Sequence, residues 1–576
     1  MATRRSPPRT SRWRAHTASD HLLRYGARVT SRPVSRRSVL TASAAAAATA
    51  LAGCGLSTPS GGGGTSGAPS GSGGGEGDHP ALVVAGTEEL GAFNPISGHG
   101  EQGGTALYEG LLRLRSDDPE ALPTLEPALA AEEPTVSKDQ RTWRVPVRQG
   151  VRFHDGSELT AQDVVATYRA LLDPESGSEA AWAYDMVRTV EAEGDEVVFH
   201  LEYPYVDFPS RMLLGIAPKA KFTGGPATES PLNREPVGTG PLRLVSLKPH
   251  EATLERFEDY WGEPSAVPRL TITTVLDEGT RAQQVRAGEV DGTVLPPKLA
   301  QATADAADHL QLAVAKTADW RGVSFPEKAA VAATPELRVA LNLAVDRQAM
   351  IDAVLGGRGT PAATPVSAVY GDAYEDLAYE HDPEKAKQVL EEAGWAPGED
   401  GIRTKDGERA GFTLAYDPKD SVRRDLAVAF AEDLKKVGVE VTPKGMTWDE
   451  IEPVYREIGI LLGGGDKPYS IDSQVFGQLH TPMKGAAFFY NPGGQGSDEL
   501  DALLEKARRA TDETERNRLY RDVQKKTFED PNGVYFMFLE HTYVHDPRGY
   551  DTGNLVVEPH AHGVSWGPWW NVGQWT

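Results

Sequence analysis

The chain has 576 residues, 39% of them hydrophobic, and a single cysteine. It can bury a large apolar core but cannot close an intrachain disulfide, so packing must hold it together. A formal net charge of −24 argues against nucleic acid or anionic lipid headgroups as partners.

Residues 1–37 carry ten Arg against one acid, Asp20, and an apolar run follows from Val39 to Ala52. That run falls short of the roughly 20 apolar residues a spanning helix needs and suits the apolar stretch of a secretory signal. Ser35-Arg36-Arg37-Ser38-Val39-Leu40 resembles the twin-arginine export motif. Leu51-Ala52-Gly53-Cys54 resembles a bacterial lipobox, which implies that Cys54 is diacylated and becomes the first residue after cleavage. Residues 1–53 thus read as a lipoprotein signal peptide and 54–80 as a Gly/Ser-rich tether, too poor in apolar residues to fold. The expected location is extracytoplasmic, on the cell membrane through the lipid.

Globular texture begins at Ala81, where "ALVVAG" reads as a buried strand. Residues 105–114 read as a short helix or strand, and Trp143–Val147 alternates as a strand. Asp155-Gly156 marks a turn, and Thr160 with Asp163 forms a capping box opening a helix. A hairpin turns at Glu193-Gly194-Asp195, "GPLRLVSLKPHEATLERFEDYWG" is a strand pair, and "LTITTV" is a further strand. "DEGTRAQQVRAGEVDGTV" is a helix leading to a strand. Residues 334–357 read as one amphipathic helix, with Leu337, Leu341, Ala344 and Val345 on its apolar face. Helices are also expected over Asp382–Trp395, Val422–Val437 and, as a pair, 497–530. "VGVEVTPK" and "GVYFMFLEHTYVHD" read as strands, and the aromatic-rich end from His560 as loop. Without a strict strand–helix alternation, the fold class is mixed α/β.

Four segments in series, "VRFHDGSELTAQDVVATYRALLDP", "PVGTGPLRLV…ERFEDYWG", "LRVALNLAVDRQAMIDAVLGG" and "HDPEKAKQVLEEAGW", resemble the family 5 extracytoplasmic solute-binding proteins, the peptide, nickel and opine receptors of ABC importers. The resemblance implies a periplasmic-binding-protein-like fold of type II with three lobes and a ligand cleft between lobes I and III. Lobe I would comprise 81–115, 235–318 and the return 536–576, lobe II 116–234, and lobe III 319–535. It further implies a small solute, first a peptide, as ligand, closure about a hinge, and an ABC permease and ATPase as partners. A nickel or other metal chelate, or an opine-like ligand, is the second reading. The chain is expected to act as a monomer.

The nickel-binding branch holds its chelate with a tryptophan and an arginine, and the resemblance points to Trp182 and Arg211, a residue type suited to carboxylates. Tyr469 matches a Pro-Tyr of that branch. Gly465 stands where the branch has a tryptophan, and His480 lies only near the branch's histidine position, which argues against nickel. The peptide branch pairs an aspartate with the ligand's amino terminus, with Asp466 and Asp472 as candidates. His99, Glu101 and Gln102 fall in a Gly-rich loop that lines the cleft in the family. Phe488, Phe489 and Tyr490 read as core rather than cleft wall. His560 and His562 could chelate a metal, but no third ligand stands at readable spacing, so no metal and no cofactor is assigned.

No Gly-x-Ser-x-Gly elbow in a strand-to-helix setting, no His-Glu-x-x-His and no phosphate loop occurs. The chain therefore reads as a receptor, not an enzyme. A secreted hydrolase with a carboxylate dyad is the distant alternative in a chain this acidic.

Overall fold

The computed structural model describes residues 80–576 apart from 88, 89, 102, 104, 484–486, 561 and 562. The expected signal peptide, Cys54 and most of the tether, with Gln102 and His562, lie outside the described residues. Among the described residues no helix is long and apolar enough to cross a membrane.

Eleven strands form one large sheet: β1 (Leu82–Gly86), β2 (Leu242–Lys248), β3 (Glu251–Arg256), β4 (Arg269–Thr274), β5 (Gly292–Val294), β6 (Gln311–Ser324), β7 (Gly359–Pro361), β8 (Gly411–Tyr416), β9 (Glu440–Gly445), β10 (Gly459–Gly464) and β11 (Gly533–His545). Their order is β9-β8-β10-β6-β11-β5-β1-β4-β3-β2, with β7 against β11. β1 runs parallel to β4 and β5, and β8 runs parallel to β9 and β10. The sheet thus has two parallel-centred halves. β6 and β11 are antiparallel to one another and belong to both. Gln311–Lys316 pairs with Glu540–His545 beside β5, whereas Trp320–Ser324 pairs with the start of β11 and with β10. The register breaks between Lys316 and Trp320. There a returning segment substitutes for the ladder: Glu558 N donates to the Lys316 carbonyl at 2.8 Å and Ala318 N to the Glu558 carbonyl at 3.0 Å. β11 is buried almost throughout, and β6 from Thr317 to Val323, which is why β11 is a near-continuous apolar run rather than an alternating one.

A second sheet is built from Thr135–Val136, Thr142–Pro146, Glu196–Leu201 and Val187–Glu193 in that spatial order. The expected hairpin is there, with Gly194 at φ 65° in its turn. The helix Ala161–Leu172 packs on this sheet, opened by its capping box: Thr160 N donates to the Asp163 carboxylate at 2.9 Å. Of residues 105–114, only the end enters a strand, Leu112–Arg115.

The single helix expected over 334–357 is broken. Pro335–Leu343 ends, Arg347–Met350 begins, and a π turn carries the chain to Leu355. Asp346 makes the break: its backbone is non-helical (φ −86°, ψ 84°) and its carboxylate caps the second piece by accepting from Ala349 N at 3.0 Å. The apolar residues of the pattern are buried nonetheless. The C-terminal segment is not open loop either. Gly567–Gln574 forms 3-10 turns, and Trp566, Trp569, Trp570 and Trp575 are buried in the core around β1 and the second sheet.

Candidate functional site

Between the two halves of the large sheet lies a cavity of about 1070 Å³. The first half lines it with Thr87 after β1, Thr274 at the end of β4, Val294 at the end of β5, and Glu278 of helix α1 (Glu278–Ala287). The second half contributes Asp417 after β8, Gly463 of β10, and the first residues of helix α2 (Ser421–Lys436). The cavity therefore sits outside the carboxyl ends of parallel strands, where open α/β sheets place ligands. Trp448, Phe489 and Tyr490 form an aromatic wall, and Arg321 and His541 on the strands common to both halves form a floor with His560 of the returning segment.

The floor is a charged network set where β6 breaks register. Asp319, with no exposed surface, bonds His541 Nε2 at 3.0 Å, His560 Nδ1 at 2.8 Å and Arg321. His541 Nδ1 lies 2.7 Å from Glu558, which also accepts from Tyr543 Oη at 2.7 Å and Gly567 N at 2.6 Å. Burial pulls the His541 ring down, but carboxylates at both nitrogens outweigh it and raise the ring to about 9. Burial would raise the Asp319 carboxyl, yet the Arg321 charge and both rings hold it well below the usual range. Arg423 Nη2 reaches His560 Nε2 at 3.4 Å, and its Nε stands 3.2 Å from Asp420. Burial, then the nearby Arg321 charge, lowers Arg423.

Gly463 makes this meeting possible. A Cβ there would lie 2.5 Å from both Arg321 Nη1 and the His560 ring. Gly465 has φ 113°, and a Cβ would come 2.3 Å from the Ala318 carbonyl. The tryptophan of the nickel-binding branch cannot be accommodated at Gly465.

Of the sequence-derived candidates, Asp466 borders the cavity, and its carboxylate has no hydrogen-bond or ion-pair partner among the described residues. Trp182, Arg211, Asp472, Tyr469, His99 and Glu101 do not border it. Trp182 stands behind the aromatic wall, its ring 4.6 Å from that of Tyr490. Arg211 donates to Tyr205 Oη at 3.1 Å and to Ser473, and faces the Tyr184 and Tyr205 rings. Asp472 accepts from Arg508 Nε at 3.0 Å, Tyr205 Oη at 3.1 Å and Tyr520 Oη at 3.3 Å. Arg211 and Asp472 thus belong to a buried polar seam between residues 185–211 and 470–520, in which both find partners inside the protein although Arg211 Nε has no hydrogen-bond partner. Glu101 ion-pairs with buried Lys467 at 3.0 Å, Tyr469 Oη donates to the Val557 carbonyl at 3.1 Å, and His99 sits 3.3 Å from Thr105 Oγ1. Phe489 and Tyr490, read as core, are cavity wall. Arg321, Arg423, Asp319, His541 and Glu558 escaped the sequence reading. For Asp319, Arg321 and His541 the one signal is a charge inside an otherwise apolar strand, as in "QLAVAKTADWRGVS" and "GVYFMFLEHTYVHD"; Arg423, in helix α2, and Glu558, after β11, carry no such signal.

Two half-sheets joined by continuous strands around a cleft define a solute-binding protein of the type II periplasmic class. The model described as "Bacterial extracellular solute-binding proteins, family 5 Middle" matches residues 124–482, and the chain belongs to that family. Protein XP55 of Streptomyces lividans is 38% identical over 474 residues, 81% of this chain and 84% of that protein. The oligopeptide-binding protein AppA of Bacillus subtilis, solved with a nonapeptide, aligns with a TM-score of 0.72 at 25% identity, over 86% of this chain and 98% of that one. NikZ of Campylobacter jejuni, solved with Ni(L-His), aligns with a TM-score of 0.77 at 24% identity, over 86% and 99%. Proteins of this family bind peptides or other small solutes and serve ABC permeases.

Proposed function

We propose that this protein captures a peptide in the cleft between its half-sheets and delivers it to the permease and ATPase of an ABC importer. The observation that carries the reading is the cleft-like cavity of about 1070 Å³, large enough for a short peptide, with the Asp466 carboxylate, without a partner among the described residues, on its wall to take an ammonium group. The likeness to a peptide-binding relative supports it. In this reading 81–115, 235–318 and 536–576 form lobe I, 116–234 lobe II and 319–535 lobe III. β6 and β11 are the hinge, and Cys54 carries the lipid that holds a monomer at the outer membrane face of the cell. The protein turns nothing over. A metal chelate or opine-like conjugate is the second reading, favoured by the two guanidinium groups on the cavity floor.

Melting curves with defined tripeptide pools test this. A ligand binding only the folded state stabilises by RT ln(1 + [L]/Kd), about 2.7 kcal/mol at a hundredfold excess over Kd. We expect a rise in Tm that Asp466→Asn abolishes, with the peptide recovered intact by mass spectrometry. No rise with peptides, or a cleaved product, overturns the reading. Cys54→Ala should move the protein out of the membrane fraction.

A further inference from the structure

The second sheet and the helices that follow β10 meet outside the cavity. The second sheet shares its core with β1: Trp143, Phe199, Phe208 and Leu213 belong to one cluster with Leu82 and Val84. Helices α3 (Ile471–Leu479), α4 (Asp498–Arg509) and α5 (Glu513–Glu529) build a different core, with Val475, Leu504, Leu519 and Val523. The chain passes between the two half-sheets along β6 and β11. The second sheet therefore rides with the first half, and α3, α4 and α5, which lie between β10 and β11 in the chain, ride with the second.

Where these two bodies touch, polar side chains cross from one to the other. Arg508 of α4 holds Asp472 of α3 at 3.0 Å and reaches across to Asp185 and to Tyr203 Oη, each at 3.2 Å. Asp207 ion-pairs with Arg516 of α5 and accepts from Ser470 Oγ at 2.7 Å. Tyr205 Oη donates to Asp472 at 3.1 Å, and Arg211 donates to Ser473. None of these residues borders the cavity. The seam nonetheless adjoins it in two places. The ring of Trp182, just before the second-sheet strand Val187–Glu193, lies 4.6 Å from that of Tyr490 in the cavity wall. Glu101, whose charge reaches Arg211, pairs with Lys467, the neighbour of Asp466 in the chain.

Surfaces that stay together permanently are mostly apolar, and parting them exposes area that water does not compensate. Here the two cores stay separate and the contact is charged. Carboxylates, guanidinium groups and hydroxyls that part are rehydrated, so each such bond contributes little net adhesion. A seam of this kind resembles the interfaces across which domains move. Its matched donors and acceptors all meet in one arrangement of the two bodies, and none of them needs a ligand to do so.

We propose that this seam is a latch that holds the half-sheets together in the absence of ligand, so that the second sheet takes part in closure and ligand affinity is set partly outside the cleft. The inference rests on the reading of β6 and β11 as a hinge. If only the closed arrangement grips the ligand, apparent affinity falls in proportion to the closed fraction.

Small-angle X-ray scattering of the ligand-free protein reads closure directly. One variant combines Asp207→Asn with Arg516→Gln and removes a cross-seam ion pair. A second, Tyr205→Phe, removes a single oxygen and keeps the packing; circular dichroism checks that each is folded. Wild type should scatter as the closed arrangement does. Each variant should show a larger radius of gyration and bind a tripeptide pool about threefold or more weakly, through faster dissociation. A radius unchanged in both variants overturns the latch, and so does a wild-type protein already expanded without ligand. A larger radius with undiminished affinity overturns the link between seam and ligand. If wild type binds no peptide, the peptide reading falls and the scattering alone decides the latch.

Discussion

His541 is a histidine with a carboxylate at each ring nitrogen, 3.0 Å to Asp319 and 2.7 Å to Glu558. Neither carboxylate is exposed, so the ring's proton helps compensate two buried negative charges, and removing the ring takes a positive hydrogen-bond donor from both, leaving Asp319 to Arg321 and His560 and Glu558 to neutral donors alone. His541→Gln should cost roughly 3–5 kcal/mol at neutral pH, the range for breaking a buried ion pair. The pH profile is a sharper measure. The folded ring keeps its proton up to about pH 9, against 6.5 for an ordinary histidine. Its stabilisation is therefore complete below pH 6.5 and is lost as pH climbs through 9. Urea unfolding of wild type across that window should show stability falling, and His541→Gln should flatten the slope. Parallel slopes for the two proteins would show that the ring is not the titrating group. Arg211 and Asp472 teach the complementary lesson. Their residue types suit a ligand, but a charge acts on whatever it meets first, and here each meets partners within the chain.

At the scale of elements, Asp346 decides what the apolar spacing of 334–357 could not. Periodicity reports which face is buried, and that face is buried as expected. It does not report whether the axis is continuous, because an aspartate inside an apolar pattern is equally a surface residue or a cap. Asp346→Ala should lower stability by about 1 kcal/mol, the ordinary cost of losing an N-cap, read as a shifted urea midpoint with ligand affinity unchanged. A midpoint identical to wild type would mean that the second piece holds without its cap. The break in β6 is of the same kind. A strand of 14 residues carries two registers, and the segment through Glu558 fills the gap with backbone hydrogen bonds.

On the scale of the whole molecule, two of the contacts that join the cavity's opposing sides without a ligand bear on closure. Lys467 meets Glu101 at 3.0 Å, and Ser421 Oγ donates to Glu278 at 3.1 Å. Glu101 and Lys467 do not border the cavity, so their effect on binding must pass through closure. If only the closed arrangement grips the ligand, apparent affinity scales with the closed fraction. Glu101→Gln should then weaken ligand binding several-fold, and Lys467→Met should add little once Glu101 is gone. Additive losses in that double-mutant cycle would instead assign Glu101 a direct contact with the ligand.

The sequence by itself determined most of the elements and the mixed class, because strand alternation, capping boxes and helical spacing are local and survive without knowledge of partners, and four segments in series carried the family resemblance. It also put Asp466, beside Asp472 and six other residues, among the candidates, through a resemblance that carries the position of a loop. Only the tertiary structure decided which charged residues face the cavity. Arg321, Arg423, Asp319, His541, Glu558 and His560 come from segments up to 241 residues apart. Their signs, donors and neighbours become meaningful only where β6 and β11 cross between the half-sheets. A local pattern encodes burial of a face, whereas charge pairing depends on distance in space, and distance in space exists only after folding.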